Sequence, residues 1–282
     1  TSTDPAPEVP VFRSGASLVP LGVTVTDSAK NAGAAPAAAS TTRYYLSADQ
    51  GKDAQDLLLT GSRSIPLLAA GASSSGSTAV TLPSSAPAGT FYLLACADDL
   101  QAIAESSESN NCIAATATTQ VLRPDLAETS VSDPPANLSA GSFFPVTDTV
   151  QNLGNGASGG SSTRFYLSAD TLKDASDTLL SGSRAVGSLA IGATSMGMIN
   201  VTVPIASTAG TYRLLACADD TTLVVESDET NNCLPAAGSI QVTKPDLIVF
   251  SISSPPASAP AGSSFSVTDT TKNQGTASAG SS

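Results

Sequence analysis

A single offset of 121 residues carries this chain onto itself with no insertion or deletion. Asn31 and Gly33 become Asn152 and Gly154, and TRYYLSAD at Thr42 to Asp49 becomes TRFYLSAD at Thr163 to Asp170. Gly61-Ser62-Arg63 becomes Gly182-Ser183-Arg184, and GTFYLLACADD at Gly89 becomes GTYRLLACADD at Gly210. A third copy opens at Lys244: Pro124-Asp125-Leu126 returns as Pro245-Asp246-Leu247, and VTDTVQNLG at Val146 returns as VTDTTKNQG at Val267. Solenoid units run about 20–50 residues, so this period is too long for one. It is long enough for a whole domain. The chain therefore reads as domains in tandem, at residues 1–122 and 123–243. Residues 244–282 are the first two strands of an incomplete third.

Each unit reads as all-β. In the second copy Phe144, Val146 and Val150 sit two or four apart, Phe165 and Leu167 alternate with Tyr166 and Ser168, and Val201 and Val203 precede Pro204. That is a strand period, and no long 3.6-residue period competes with it. Turn residues punctuate the strands at Asp133-Pro134-Pro135, Asn152-Leu153-Gly154 and Thr208-Ala209-Gly210. About seven short strands per unit predict an immunoglobulin-like β-sandwich. The junctions, Val121 to Leu126 and Val242 to Leu247, contain a proline and no Gly/Ser linker. They predict a stiff, extended rod.

The order of motifs resembles the CARDB family, the cell-adhesion-related domain found in bacteria. The carriers are PDL, then F-x-V-x-x-x-V/T-x-N-x-G, YLSAD with D-x-x-D, G-T-Y-x-L-x-A-C-A-D, and E-S-x-E-x-N-N. The resemblance covers two full copies and the opening of a third. It implies Ig-like sandwiches on secreted or surface-attached prokaryotic proteins, in arrays and without intrinsic catalysis. One departure is the Pro-rich start, TSTDPAPEVP, which lacks the apolar alternation of the later first strands.

Charge and chemistry narrow the function. The net charge is −12, with 12 scattered Lys and Arg. Phosphate recognition needs a basic face, so nucleic acid and anionic membranes are not expected partners. No apolar run reaches the ~18 residues of a membrane span. The chain has no His, which removes Ser-His-Asp and Cys-His machinery and most zinc sites. The acidic stretches ACADDLQAIAESSESNNC and ACADDTTLVVESDETNNC match at 11 of 18 positions. A duplicated loop bracketed by cysteines reads as a structural turn rather than a glycosidase carboxylate pair. The protein is not expected to be an enzyme.

Four cysteines fall as one pair per repeat, Cys96 with Cys112 and Cys217 with Cys233. This pattern predicts two loop-closing disulfides and a place outside the reducing cytosol, extracellular or at the cell surface. Asp49, Asp53 and Asp56 recur as Asp170, Asp174 and Asp177. Such dense oxygen ligands suit structural calcium. The simpler reading, which the sequence favours, is a turn whose acids cap backbone amides. No other cofactor is expected. Asp27, Asp148 and Asp269 fall on the inward phase of their strands, and a β-bulge that turns them outward is the preferred reading.

The third copy supplies a first strand, while the first copy opens on prolines. A strand from one subunit could therefore complete the first domain of the next. The expected interface is Asp246, Leu247, Ile248, Val249, Phe250 and Ile252. A head-to-tail contact of this kind gives an open filament, so a homo-oligomer or filament is expected. The alternative is a spacer, or a module binding a surface glycan or protein. Only 12 Phe and Tyr are present to serve a sugar site and fill the cores.

Overall fold

The computed structural model describes residues 22–280, and the proline-rich opening stretch lies outside them. The described chain is all-β. The first domain contains β1 (Gly22–Lys30), β2 (Ser40–Ser47), β3 (Leu57–Ile65), β4 (Ser73–Thr81), β5 (Gly89–Cys96) and β6 (Cys112–Val121), in the order β1-β4-β3-β2-β5-β6. The second contains β7 (Leu126–Val131), β8 (Asn137–Ser139), β9 (Phe143–Asn152), β10 (Ser161–Ser168), β11 (Thr178–Val186), β12 (Thr194–Thr202), β13 (Gly210–Cys217) and β14 (Cys233–Thr243). Its order is β7-β9-β12-β11-β10-β13-β14-β8, antiparallel except that β8 runs parallel to β14. The counterparts of β7 and β8 in the first domain would fall before Gly22, outside the described residues.

The continuous ladder folds over itself at β11. That strand pairs along its length with β10 but meets β12 at one bridge, Ser181 with Thr202. Beside that bridge Gly182 has a φ of 112°, and a Cβ there would stand 2.8 Å from the Asn200 carbonyl oxygen. Only glycine turns the strand at that point without a clash. The fold-over places Phe144, Val146, Val201 and Val203 against Phe165, Leu167, Leu214, Ala216, Ile240 and Val242 in one core. Two faces of apolar side chains packed in this way are a β-sandwich.

β9 alternates without interruption, with Phe144, Val146, Asp148, Val150 and Asn152 all buried. It pairs with β12 residue for residue from Phe143 to Gln151. The bulge expected to turn the aspartates outward is therefore absent from β9. Asp148 is fully buried, and Arg184 grips it with Nε at 2.8 Å from both carboxylate oxygens. Asp27 pairs in the same way with Arg63, whose Nε lies 2.6 Å from Oδ1. Partnering, not a bulge, makes the inward charge tolerable. The Gly-Ser-Arg repeat, kept at the same offset as the aspartates, was the available sign of that pairing.

β10 also departs from simple alternation. Phe165, Tyr166, Leu167 and Ser168 are all buried. The outer face is covered by a second, smaller cluster of Tyr166, Leu215, Cys217 and Cys233. The first domain repeats it with Tyr45, Leu94 and Cys96. The Cys217–Cys233 bridge is part of this cluster, and Asp220 of its loop accepts from the Tyr166 hydroxyl at 2.7 Å.

After Thr243, β15 (Leu247–Ile252) and β16 (Asp269–Asn273) form an antiparallel pair that repeats β7 against β9, including the register shift one period later. Here the face is bare. Leu247 is 49% exposed, whereas its counterpart Leu126 is fully buried. Val249, Phe250, Ile252, Phe265 and Val267 are more than half exposed.

Candidate functional site

The repeated acidic loop is stapled at its base in both domains. Cys96 bonds Cys112, and Cys217 bonds Cys233, each pair closing the end of a strand pair with 4.0 Å between Cα atoms. Within the loop the acids face backbone amides. Asp98 accepts from the amides of Ala102 and Ile103, and Asp219 accepts from those of Leu223 and Val224. Glu108 accepts from the amide of Glu105 at 2.9 Å, and Glu229 from that of Glu226 at 3.0 Å. Asp98 and Asp219 take positive φ angles of 43° and 39°. The two loops are the same object built twice.

A second acid anchors the outside of the staple. Asp99 accepts from the Tyr45 hydroxyl at 2.6 Å and pairs with Arg43 at 3.2 Å and Lys52 at 3.5 Å. Asp220 accepts from Tyr166 at 2.7 Å and pairs with Lys173 and Arg164. Burial first, and then the bond to Asp99, push the Tyr45 hydroxyl up to about 12. These carboxylates are occupied by fixed cations and phenols.

In the second domain the loop holds the start of its own first strand. The Leu126 amide donates to Glu226 Oε2 at 2.7 Å, the Ser227 amide donates to the Pro124 carbonyl at 2.9 Å, and Asn231 Nδ2 donates to Asp125 Oδ1 at 3.0 Å. On the other side Asn152 Oδ1 accepts from the Asp125 amide at 3.1 Å. A Cβ on Gly154 would stand 2.4 Å from the Arg123 carbonyl oxygen, so the backbone passes too close for any side chain there. The PDL, N-x-G and E-S-x-E-x-N motifs, scattered in sequence, are thus the parts of one clasp. The loop meets the tripeptide across 100 to 106 residues, and Asn152 meets it across 27, so no local pattern links the three motifs.

Burial of Glu226 raises its carboxyl pKa to about 8, against the lowering effect of the Leu126 amide. Its Oε1 has no partner. Glu226 and Glu229 also line an interdomain cleft of about 450 Å³ with Ser84, Ser85, Pro87 and Arg123.

The aspartates proposed as calcium ligands are not gathered into a cage. Asp49 and Asp170 accept from the amides of Gly51 and Leu172, at 2.7 and 2.8 Å. Asp56 and Asp177 accept from the amides of Asp53 and Asp174, each at 2.9 Å. The acids are spread along one exposed turn, each serving an amide. No group of three His, Cys, Asp or Glu side chains is placed to hold a metal among the described residues. No helix among the described residues is long and apolar enough to cross a membrane.

The CARDB family model matches residues 15–115 and 123–236, most of the chain. The chain belongs to the CARDB family. A CARDB domain of Pyrococcus furiosus, solved in complex with di-metal ions, is 24% identical over 43% of this chain and 94% of its own, with a TM-score of 0.31. A domain from a protein of Methanosarcina acetivorans described as a cell-surface protein is 22% identical over 43% of this chain and 92% of its own, also at 0.31. A β-glucosidase of Listeria innocua shares 15% identity over 44% of this chain and 16% of its own, at 0.26. No curated protein matches this chain.

Proposed function

We propose that this CARDB array is an extracellular, non-enzymatic structural and adhesive protein that assembles head-to-tail into a surface filament by exchange of a first strand. One observation carries the reading. The tripeptide Pro124-Asp125-Leu126 that the second domain clasps returns letter for letter as Pro245-Asp246-Leu247 at the head of another strand, β15. Two disulfides support an oxidising location. The cell-surface description of the Methanosarcina acetivorans protein is consistent with it. The acidic loop of the second domain serves as a clasp on the strand start.

The test is negative-stain electron microscopy of the protein as recovered from cells, without reductant. Regular filaments are expected, and removal of residues 245–282 is expected to abolish them. Isolated rods, or filaments that persist after the deletion, sink the proposal. Isolated rods would favour a spacer or ligand-binding module.

A further inference from the structure

We infer that Met196 and Met198 on β12 form a chelating pair for a soft monovalent cation, copper(I) or silver(I), on the outer face of the second domain. They are the two methionines of the chain. β12 alternates, so both point to one side, and they stand 75% and 72% exposed. Successive outward positions of a strand lie about 6.6–6.8 Å apart. Each sulfur sits on a side chain with three rotatable bonds, so the two can close on one ion between them. Methionine ordinarily fills gaps in a core, and neither of these does. Packing therefore does not account for the pair.

The first domain shows the same place without it. Ser75 and Ser77 stand one period earlier, and their hydroxyls bond Ser28 at 2.9 Å and Thr26 at 2.8 Å across the ladder to β1. In the second domain Met196 and Met198 lie opposite Thr149 and Thr147. The base beneath them is fixed. Gly197, between the two, lies opposite the buried Asp148, and a Cβ on it would stand 2.6 Å from Cδ of Arg184. Arg184 also donates to the Ser195 hydroxyl at 3.1 Å and to the Ser195 carbonyl at 3.2 Å. The buried ion pair thus pins the backbone under both methionines, and binding has only side chains to order. The flanking outward positions, Pro145, Thr147, Thr149, Thr194 and Asn200, are uncharged, so these neighbours do not repel a cation. Thioethers select soft ions. Calcium and magnesium take oxygen ligands, and zinc takes thiolate, imidazole or carboxylate.

Silver(I), which is stable in air, is the first probe. The full chain with methyl-13C methionine is titrated with silver nitrate and followed by NMR. Both methyl signals are expected to move together and to saturate at one ion per chain. Copper(I), added without oxygen, should displace silver from the pair, while calcium and zinc should leave both signals in place. Met196→Leu and Met198→Leu should each weaken silver binding at least tenfold. Leucine keeps an apolar side chain at an exposed strand position, and an unchanged urea midpoint would confirm that each variant folds. Methyl signals that titrate independently, or a single variant that binds as tightly as the parent chain, would mean isolated thioethers and overturn the inference. Signals that stay still in silver, or that move equally with zinc, overturn it as well.

Discussion

Asp148 shows how one buried charge is balanced differently in two copies of a domain. In the first domain Asp27 has two fixed partners, Arg63 and the Tyr44 hydroxyl at 2.7 Å. The second domain has Phe165 where the first has Tyr44, so the hydroxyl is missing. Glu128 takes its place. Its Oε1 accepts from Thr163 at 2.8 Å, and its Oε2 has no other partner beside Asp148. Burial, and then the Asp148 charge, raise the Glu128 pKa to about 8, so at neutral pH it is a proton donor facing a carboxylate. In the unfolded chain the same group has a value near 4.5. The folded state therefore holds a proton that the unfolded state has released between those values. The resulting stability is full below about pH 4.5 and is lost as pH rises through 8. Hydrogen exchange of β9 and β10 amides should become faster from pH 5 to pH 8, after correction for intrinsic rates. Glu128→Gln, which keeps a donor without a titrating proton, should flatten that slope. An unchanged slope would place the pH dependence elsewhere. Truncating Arg184 to Ala leaves the Asp148 charge buried without its partner and is expected to cost roughly 3–5 kcal/mol. Urea titration of Arg184→Ala would measure the loss.

The element that most rewards perturbation is the stapled loop. Closing a loop of about 15 residues is worth ~3 kcal/mol in the chain-entropy model. Mild reduction should lower the denaturation midpoint of both domains by a corresponding amount, with the loops exchanging first. A domain that loses nothing on reduction would show that its clasp bonds hold without the staple. The strands, turns and period were legible because they are local or periodic. The alternation of Phe144 and Val146, the Pro and Gly turns, and the 121-residue offset all lie on the surface of the sequence. The clasp was not legible, although every part was visible. Glu226 meets Leu126 across 100 residues, and nothing local links them. The inward aspartates were misjudged for the same reason. The phase of β9 pointed inward, but Arg184 is 36 residues away. The second apolar face of β10 depends on Leu215 of the neighbouring strand and on the Cys217–Cys233 bridge, and periodicity within one strand carries no record of them.

At the scale of the whole molecule, stiffness depends on what crosses each joint. Arg123 opens the second domain and is buried against the first. Its Nε donates to the Ala86 carbonyl at 2.5 Å, its Nη2 donates to the Ser84 carbonyl, and its own amide is held by Asn155 at 2.8 Å. One planar guanidinium thus bridges two carbonyls of the preceding domain. The next joint has Lys244 at the same place in the period. Its amide donates to Thr276, the counterpart of Asn155, and its carbonyl accepts from the Thr276 and Ala277 amides, but an ammonium is a point donor on a flexible stem and lacks the fork. The first joint should accordingly be the stiffer one. Arg123→Lys should broaden the distribution of maximum dimensions seen by small-angle X-ray scattering, and Lys244→Arg should narrow the orientations of the segment after Thr243, read from residual dipolar couplings. If Arg123→Lys leaves the scattering unchanged, the short proline-containing connection alone sets the angle, and the guanidinium serves packing rather than orientation.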